Sequence, residues 1–198
     1  MRPGVTVASG AGHTTIEHPW GSIRVTGPAW VGRVLEELGE REMDTDALLD
    51  VLVSEGVEDE RAVAAALVEL NEIARRLPMV IQRSVHLGGD ELLRLVPVGL
   101  DAPPATAELP ERTVVVLDRA AYLRRLPGAA GLSLESPLAH HRAQLGGALL
   151  ALFDELCTDG LCVDDRLEDG PRCAIGLLAS VGLLRAASEL ATDPADGW

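Results

Sequence analysis

Cysteines, histidines, paired aspartates and a double glycine are the residues of this chain whose types could do chemistry. Cys157, Cys162 and Cys173 offer three thiols, separated by four and then ten residues. Structural zinc sites use four ligands and CxxC-type pairs, and neither is present. The expectation is small buried thiols acting as hydrophobes. His140 and His141 adjoin, but neighbours on a strand point to opposite faces, so they cannot converge on one metal with His13, His18 or His86. Exposed or partly buried imidazoles are expected instead. Asp44 with Asp46, and Asp164 with Asp165, lack the remaining positions of a calcium loop and read as helix caps and a solvated face. Gly88-Gly89 lacks the GxxxxGK pattern and enters no helix, so it reads as a hairpin turn, not a phosphate loop. Local spacing offers no Ser-His-Asp or Cys-His set. No catalytic, cofactor-binding or metal-ligating residue is assigned, and the chemistry that remains is binding.

Charge narrows the partners. The net charge is −14 and all 17 basic residues are arginine. Such acidity repels phosphate backbones, so nucleic acid is not an expected partner. A winged-helix transcription regulator is the rival from another class, and it would need a basic recognition helix. Aromatic residues make up only 3 % of the chain, which leaves few platforms for stacked bases or flavin rings. Arg75-Arg76 and Arg124-Arg125 are the basic pairs that stand out. Arginine suits carboxylates, so these could meet an acidic peptide or the chain's own Asp and Glu side chains; both readings stay open. There is no signal-peptide core and no apolar run near the ~20 residues that span a bilayer. A cytoplasmic protein with no membrane partner is expected, which also argues against disulfides.

The elements that would carry a binding surface follow from periodicity and punctuation. Residues 1–13 read as a flexible lead-in. Thr14–Glu17 and Ser22–Thr26 read as strands joined by His18-Pro19-Trp20-Gly21. Pro28 opens a helix over Ala29–Leu38, with Val31, Val34, Leu35 and Leu38 on one face. Thr45 or Asp46 is expected to cap a second helix that ends at Gly56, and Asp59 a third that runs to Leu77 and is stopped by Pro78. Met79–Leu87 and Glu91–Val98 form a hairpin, expected to share a sheet with the first pair. The Pro- and Ala-rich stretch 99–111 reads as a linker. Beyond it, strands are expected at Thr113–Leu117, Ala121–Arg125, Leu132–Glu135 and Ala139–Gln144. Helices follow over Gly147–Leu156, Val163–Leu167 and Arg172–Val181, then a closing strand at Leu183–Arg185 and a loose tail after Ala187.

The chain also repeats itself. Residues 15–38 lie over residues 133–156 at a constant offset of 118 (135 − 17), matching Glu17 to Glu135, Pro19 to Pro137, Arg24 to Arg142 and Leu38 to Leu156. A repeat of strand, turn, strand, glycine and helix implies two related units. The expected fold class is α+β, with two tandem winged-helix-like modules: 14–98, then the 99–111 linker, then 112–187.

PWGSIRVTG, the three helices, SVHLGGDELLRLVP and VVVLDRAAYLRR followed by GLSLESPLAHHRAQL together resemble the N-terminal half of SagB-type azoline dehydrogenases. The strongest local match is Tyr122-Leu123-Arg124-Arg125 followed by Leu134-Glu135-Ser136-Pro137-Leu138-Ala139-His140, and the resemblance spans about residues 14–185. It implies a role in making ribosomally synthesised, post-translationally modified peptides, and a winged-helix-like clamp for a leader peptide. In that family an FMN-binding nitroreductase-like domain follows this region. The chain here reaches Trp198 without one, so the expectation is a detached clamp or the non-catalytic subunit of a split dehydrogenase. FMN would then sit on a partner in a hetero-oligomer, unless this chain completes the partner's flavin site. For a clamp that adds the peptide as a strand, the expected contacts are Ser22, Ile23, Arg24 and Val25 on one side and Arg61, Glu69 and Glu72 of the third helix on the other. Arg124 and Arg125 are further peptide or partner contacts. The second copy is expected to be degenerate and to serve contacts between modules or subunits.

Overall fold

A computed structural model describes residues 1, 4–10, 12–99, 102–110, 112–125, 132–164 and 166–190. It is an α+β protein whose strands form three small sheets. The chain divides into two compact units, Met1–Ile81 and Gln82–Trp198.

In the first unit β1 (Thr6–Gly10), β2 (His13–His18) and β3 (Gly21–Thr26) form an antiparallel meander in the order β1-β2-β3. The lead-in expected to be flexible therefore contains a strand. Val7 packs against the core there, and Thr6–Gly10 pairs along its length with His13–Glu17. Three helices follow: α1 (Ala29–Glu40), α2 (Thr45–Ser54) and α3 (Glu60–Arg76). Asp44, not Thr45 or Asp46, caps α2, its carboxylate accepting from the Ala47 N–H at 2.8 Å. Asp59 caps α3 by accepting from the Ala62 N–H at 3.0 Å. Caps of this kind are worth about 1 kcal/mol each. Ile16, Val31, Leu35, Leu77 and Val80 make the core beneath the sheet, while Val34, Val51, Leu52 and Ala66 join the helices to one another. Gly32 is where α1 meets the sheet closely: a Cβ there would lie 2.7 Å from Ser9 Oγ and 2.8 Å from Thr14 Oγ1.

The second unit holds a five-stranded antiparallel sheet in the order β4-β5-β9-β8-β7, built from β4 (Arg83–Leu87), β5 (Asp90–Pro97), β7 (Tyr122–Arg125), β8 (Leu132–Glu135) and β9 (His141–Leu145). A smaller sheet places β6 (Thr113–Leu117) between β10 (Leu161–Val163) and β11 (Leu184–Ala186). Short helices α4 (Gly147–Leu150) and α5 (Phe153–Thr158), the longer α6 (Asp169–Ser180) and α7 (Ala187–Leu190) complete it. One aliphatic core, from Val85 through Leu134, Ala143, Leu149 and Ile175 to Leu184, binds both sheets and α6.

Several expectations are corrected. The hairpin β4–β5 does not share a sheet with β2–β3; β5 pairs with β9, from Leu93↔Leu145 to Pro97↔His141. Its apolar residues Leu92, Leu93, Leu95 and Val96 are buried in the second unit. The stretch 99–111 is not where the units divide. Ala102 and Ala105 are buried, Thr106 N–H donates to Ser180 Oγ, and Gly176 sits so close that a Cβ would fall 2.2 Å from the Ala107 carbonyl oxygen. Residues 100, 101 and 111 of that stretch lie outside the described residues, as do 126–131, where a turn was expected, 165 and 191–198. The helix expected over Val163–Leu167 is not formed among the described residues; Val163 instead ends β10, in which Leu161 and Val163 are buried with exposed Cys162 between them. The helix expected over Gly147–Leu156 is broken into α4 and α5.

Candidate functional site

The repeat seen in the sequence is a repeat of elements. β2, β3 and α1 correspond at the 118-residue offset to β8, β9 and the α4–α5 pair. The strand before each copy corresponds as well, because β1 pairs with β2 as β7 pairs with β8. The copies differ in register. Ile16 pairs with Ile23, whereas Leu134 pairs with Ala143, two residues past the equivalent His141. The second hairpin thus has the longer turn, organised by Ser136, which accepts from the Leu138 and Ala139 N–H groups at 3.2 Å.

The copies also differ in what lies beside the third strand. In the second unit β5 runs antiparallel along β9. Gly146 closes that junction: its N–H donates to the Leu92 carbonyl at 2.8 Å, and a Cβ there would lie 2.0 Å from the Glu91 carbonyl oxygen. In the first unit the equivalent edge of β3 has no strand on it among the described residues. The two-residue loop Pro19-Trp20 closes on the pair His18↔Gly21. Such a loop closes on a hydrogen-bonded pair, and pairs alternate along the ladder. The outward backbone groups of β3 are therefore those of Ser22, Arg24 and Thr26, and all three residues are exposed. Position 28, equivalent to Gly146, is a proline, which has no N–H to offer an incoming strand.

The floor beside this edge is apolar. Ile23 and Val25 of β3 and Ile73, Met79 and Ile81 from α3 and the segment after it are partly buried against the same core as Leu77 and Val80. Strand and helix thus contribute to one core cluster. At 100° per residue, Glu69 lies one turn before Ile73 on the side of α3 nearest that floor. Arg61 and Glu72 fall on the stripe opposite buried Ala66 and Leu77, with exposed Val68 between them. Glu72 accepts from Arg76 Nε at 3.3 Å. Of the residues expected at the groove, Ser22, Ile23, Arg24 and Val25 lie together on β3, while Glu69 lies on the Ile73 side of α3 and Arg61 and Glu72 on the opposite stripe. Ile73, Met79 and Ile81 were missed, although their recurrence before and after Pro78 is visible in the sequence.

Arg124 and Arg125 are both exposed on β7. Arg124 forms an ion pair with Glu135 at 3.0 Å, and Tyr122 Oη donates to the same carboxylate at 3.2 Å.

Other chemistry-bearing groups sit in the second unit. His141, equivalent to Ile23, is buried on β9 with no hydrogen-bond partner for Nδ1 among the described residues. Burial, helped by nearby His140 and Arg83, pushes its pKa down to about 4, so it is neutral at pH 7. This corrects the expectation of exposed or partly buried histidines. Cys157 and Cys162 are exposed, against the expectation of buried thiols. Cys173 is half-buried, and burial raises its thiol pKa against the opposing charge of Arg83. Gly88 and Gly89 both have positive φ, as the hairpin turn requires.

No protein-family model matches the chain, and no curated protein is significantly similar to it. Among the described residues no helix is long and apolar enough to cross a membrane.

Proposed function

We propose that this chain is a non-catalytic binding subunit in the making of a ribosomally synthesised, post-translationally modified peptide, and that it grips the precursor as an added strand on β3. On this reading Met1–Ile81 is a winged-helix-like clamp, and Gln82–Trp198 contains a degenerate second copy whose equivalent edge is filled by the chain's own β5. The observation that carries the reading is this contrast, an open edge on β3 and a filled one on β9. Strand addition draws affinity from main-chain hydrogen bonds and selectivity from alternate side chains. β5 offers a template for the occupant: antiparallel, with Leu95 opposite Ala143 and Leu93 opposite Leu145. The precursor would likewise place apolar residues, two apart, opposite Ile23 and Val25.

The resemblance to SagB-type dehydrogenases supplies the pathway and the partner. A nitroreductase-like subunit would carry FMN and perform the oxidation. This chain would hold the substrate near it, where tethering raises the effective concentration to roughly millimolar. Arg24→Pro tests the clamp, because it removes one outward N–H and leaves the β2–β3 ladder intact. Precursor peptides encoded beside this gene should bind the natural chain and bind the variant at least about tenfold more weakly, a loss of about 1.4 kcal/mol. Unchanged affinity would reject strand addition on β3. Co-purification with a yellow dehydrogenase subunit tests the partner.

A further inference from the structure

The last strand of the five-stranded sheet, β7, is a second edge with no strand beyond it among the described residues, and its chemistry is unlike that of β3. All four of its residues are exposed. Tyr122 and Leu123 present apolar surface, at 49 % and 41 % relative exposure. Arg124 and Arg125 follow, and no acidic residue lies on the strand. The one acidic residue paired across from it, Glu135, is already taken by Arg124, Tyr122 and Ser133. Arg125 has no carboxylate partner among the described residues. In a chain of net charge −14, this edge is locally basic.

We infer that the β7 edge is a docking site for an extended acidic peptide segment, separate from the β3 edge. An added strand would take backbone hydrogen bonds from β7, apolar contact from Tyr122 and Leu123, and carboxylate contacts from Arg125 and Arg124. Arginine forks match carboxylates in a bidentate way, and such charge-assisted bonds are roughly twice as strong as neutral ones. A second copy of the chain fits less well. Antiparallel pairing of two β7 strands in full overlap would set Arg125 opposite Tyr122 and Arg124 opposite Leu123, so a second copy offers neither arginine a carboxylate.

The test uses the full chain and a fluorescent heptapeptide of alternating glutamate and valine, read by anisotropy at low and high salt. The acidic peptide should bind, more weakly at high salt, and its lysine–valine counterpart should not. Arg125→Glu should weaken binding about tenfold, the loss of one charge-assisted contact. Arg124→Gln, which keeps Glu135 free of a like charge, should weaken it less. N-methylation of the peptide at alternate residues should abolish binding in one of the two frames. Arg24→Pro should leave this binding unchanged, so the two sites stand or fall separately. Equal binding of acidic and basic peptides would overturn the inference. So would indifference to Arg125→Glu, loss of binding in Arg24→Pro, absence of binding, or salt-resistant self-association of the chain abolished by Arg125→Glu.

Discussion

The third strand of each copy follows a hairpin and leads into helix, yet β9 is enclosed by β5 while β3 has no strand on its far side among the described residues. Two residues account for much of this. At the start of the helix the second copy has Gly146, which lets the Glu91 backbone approach and donates its N–H to the Leu92 carbonyl, where the first has Pro28. Along the strand the second copy buries His141 where the first has Ile23. An edge left open on an otherwise well-packed unit is a liability for aggregation. Retaining it is explained if a partner strand uses it.

The contrast is broken most severely at Gly146. Gly146→Ala should destabilise the second unit by about 3 kcal/mol, the upper range for overpacking against backbone, read as a lower urea midpoint. Acid should act on the same unit. His141 has a folded pKa of about 4, below the usual ~6.5 of an unfolded histidine. The unfolded chain binds the extra proton first as pH falls. The stability that neutral His141 contributes is therefore complete above pH ~6.5, and is lost progressively down to about pH 4. The lowered pKa corresponds to about 3 kcal/mol at most. Urea midpoints measured from pH 7 to pH 4 should fall for the second unit, and His141→Gln should flatten that fall. No such group occupies position 23.

Gly32→Ala sharpens the comparison from the other side. It should cost about 1–3 kcal/mol by forcing α1 off Ser9 and Thr14, and it should weaken peptide binding through the first unit alone. The smallest effects are expected on α3. Glu69→Lys should change precursor affinity modestly, while Arg61→Ala and Glu72→Ala should leave it unchanged in the same titration.

Much of the first unit is legible in the sequence because its signals are local: the Pro19–Gly21 turn, the Asp59 cap, the 3.6-residue spacing of α1 and α3, and Pro78. The α+β class and the offset repeat follow from the same patterns. Strand partnership is not local. Nothing in DELLRLVP tells β5 to choose β9 over β3; the choice depends on Gly146, a backbone approach visible only in three dimensions. The alanines at 102 and 105 read as linker by composition, yet both are buried, and Ala107 lies in close backbone approach to Gly176. On β3 the expected contacts ran from Ser22 to Val25, whereas the outward backbone groups are those of Ser22, Arg24 and Thr26. Arg61 and Glu72 are exposed on the stripe of α3 opposite buried Ala66 and Leu77, a facing that depends on which side of the helix the core takes up.

Amide hydrogen exchange of the full chain, with and without its precursor peptide, tests the central contrast most directly. The account expects Ser22, Arg24 and Thr26 to exchange fast in the free protein and to slow at least about tenfold on binding, with the amides of β9 protected in both states. A bound precursor that leaves the β3 amides exchanging as before would contradict it.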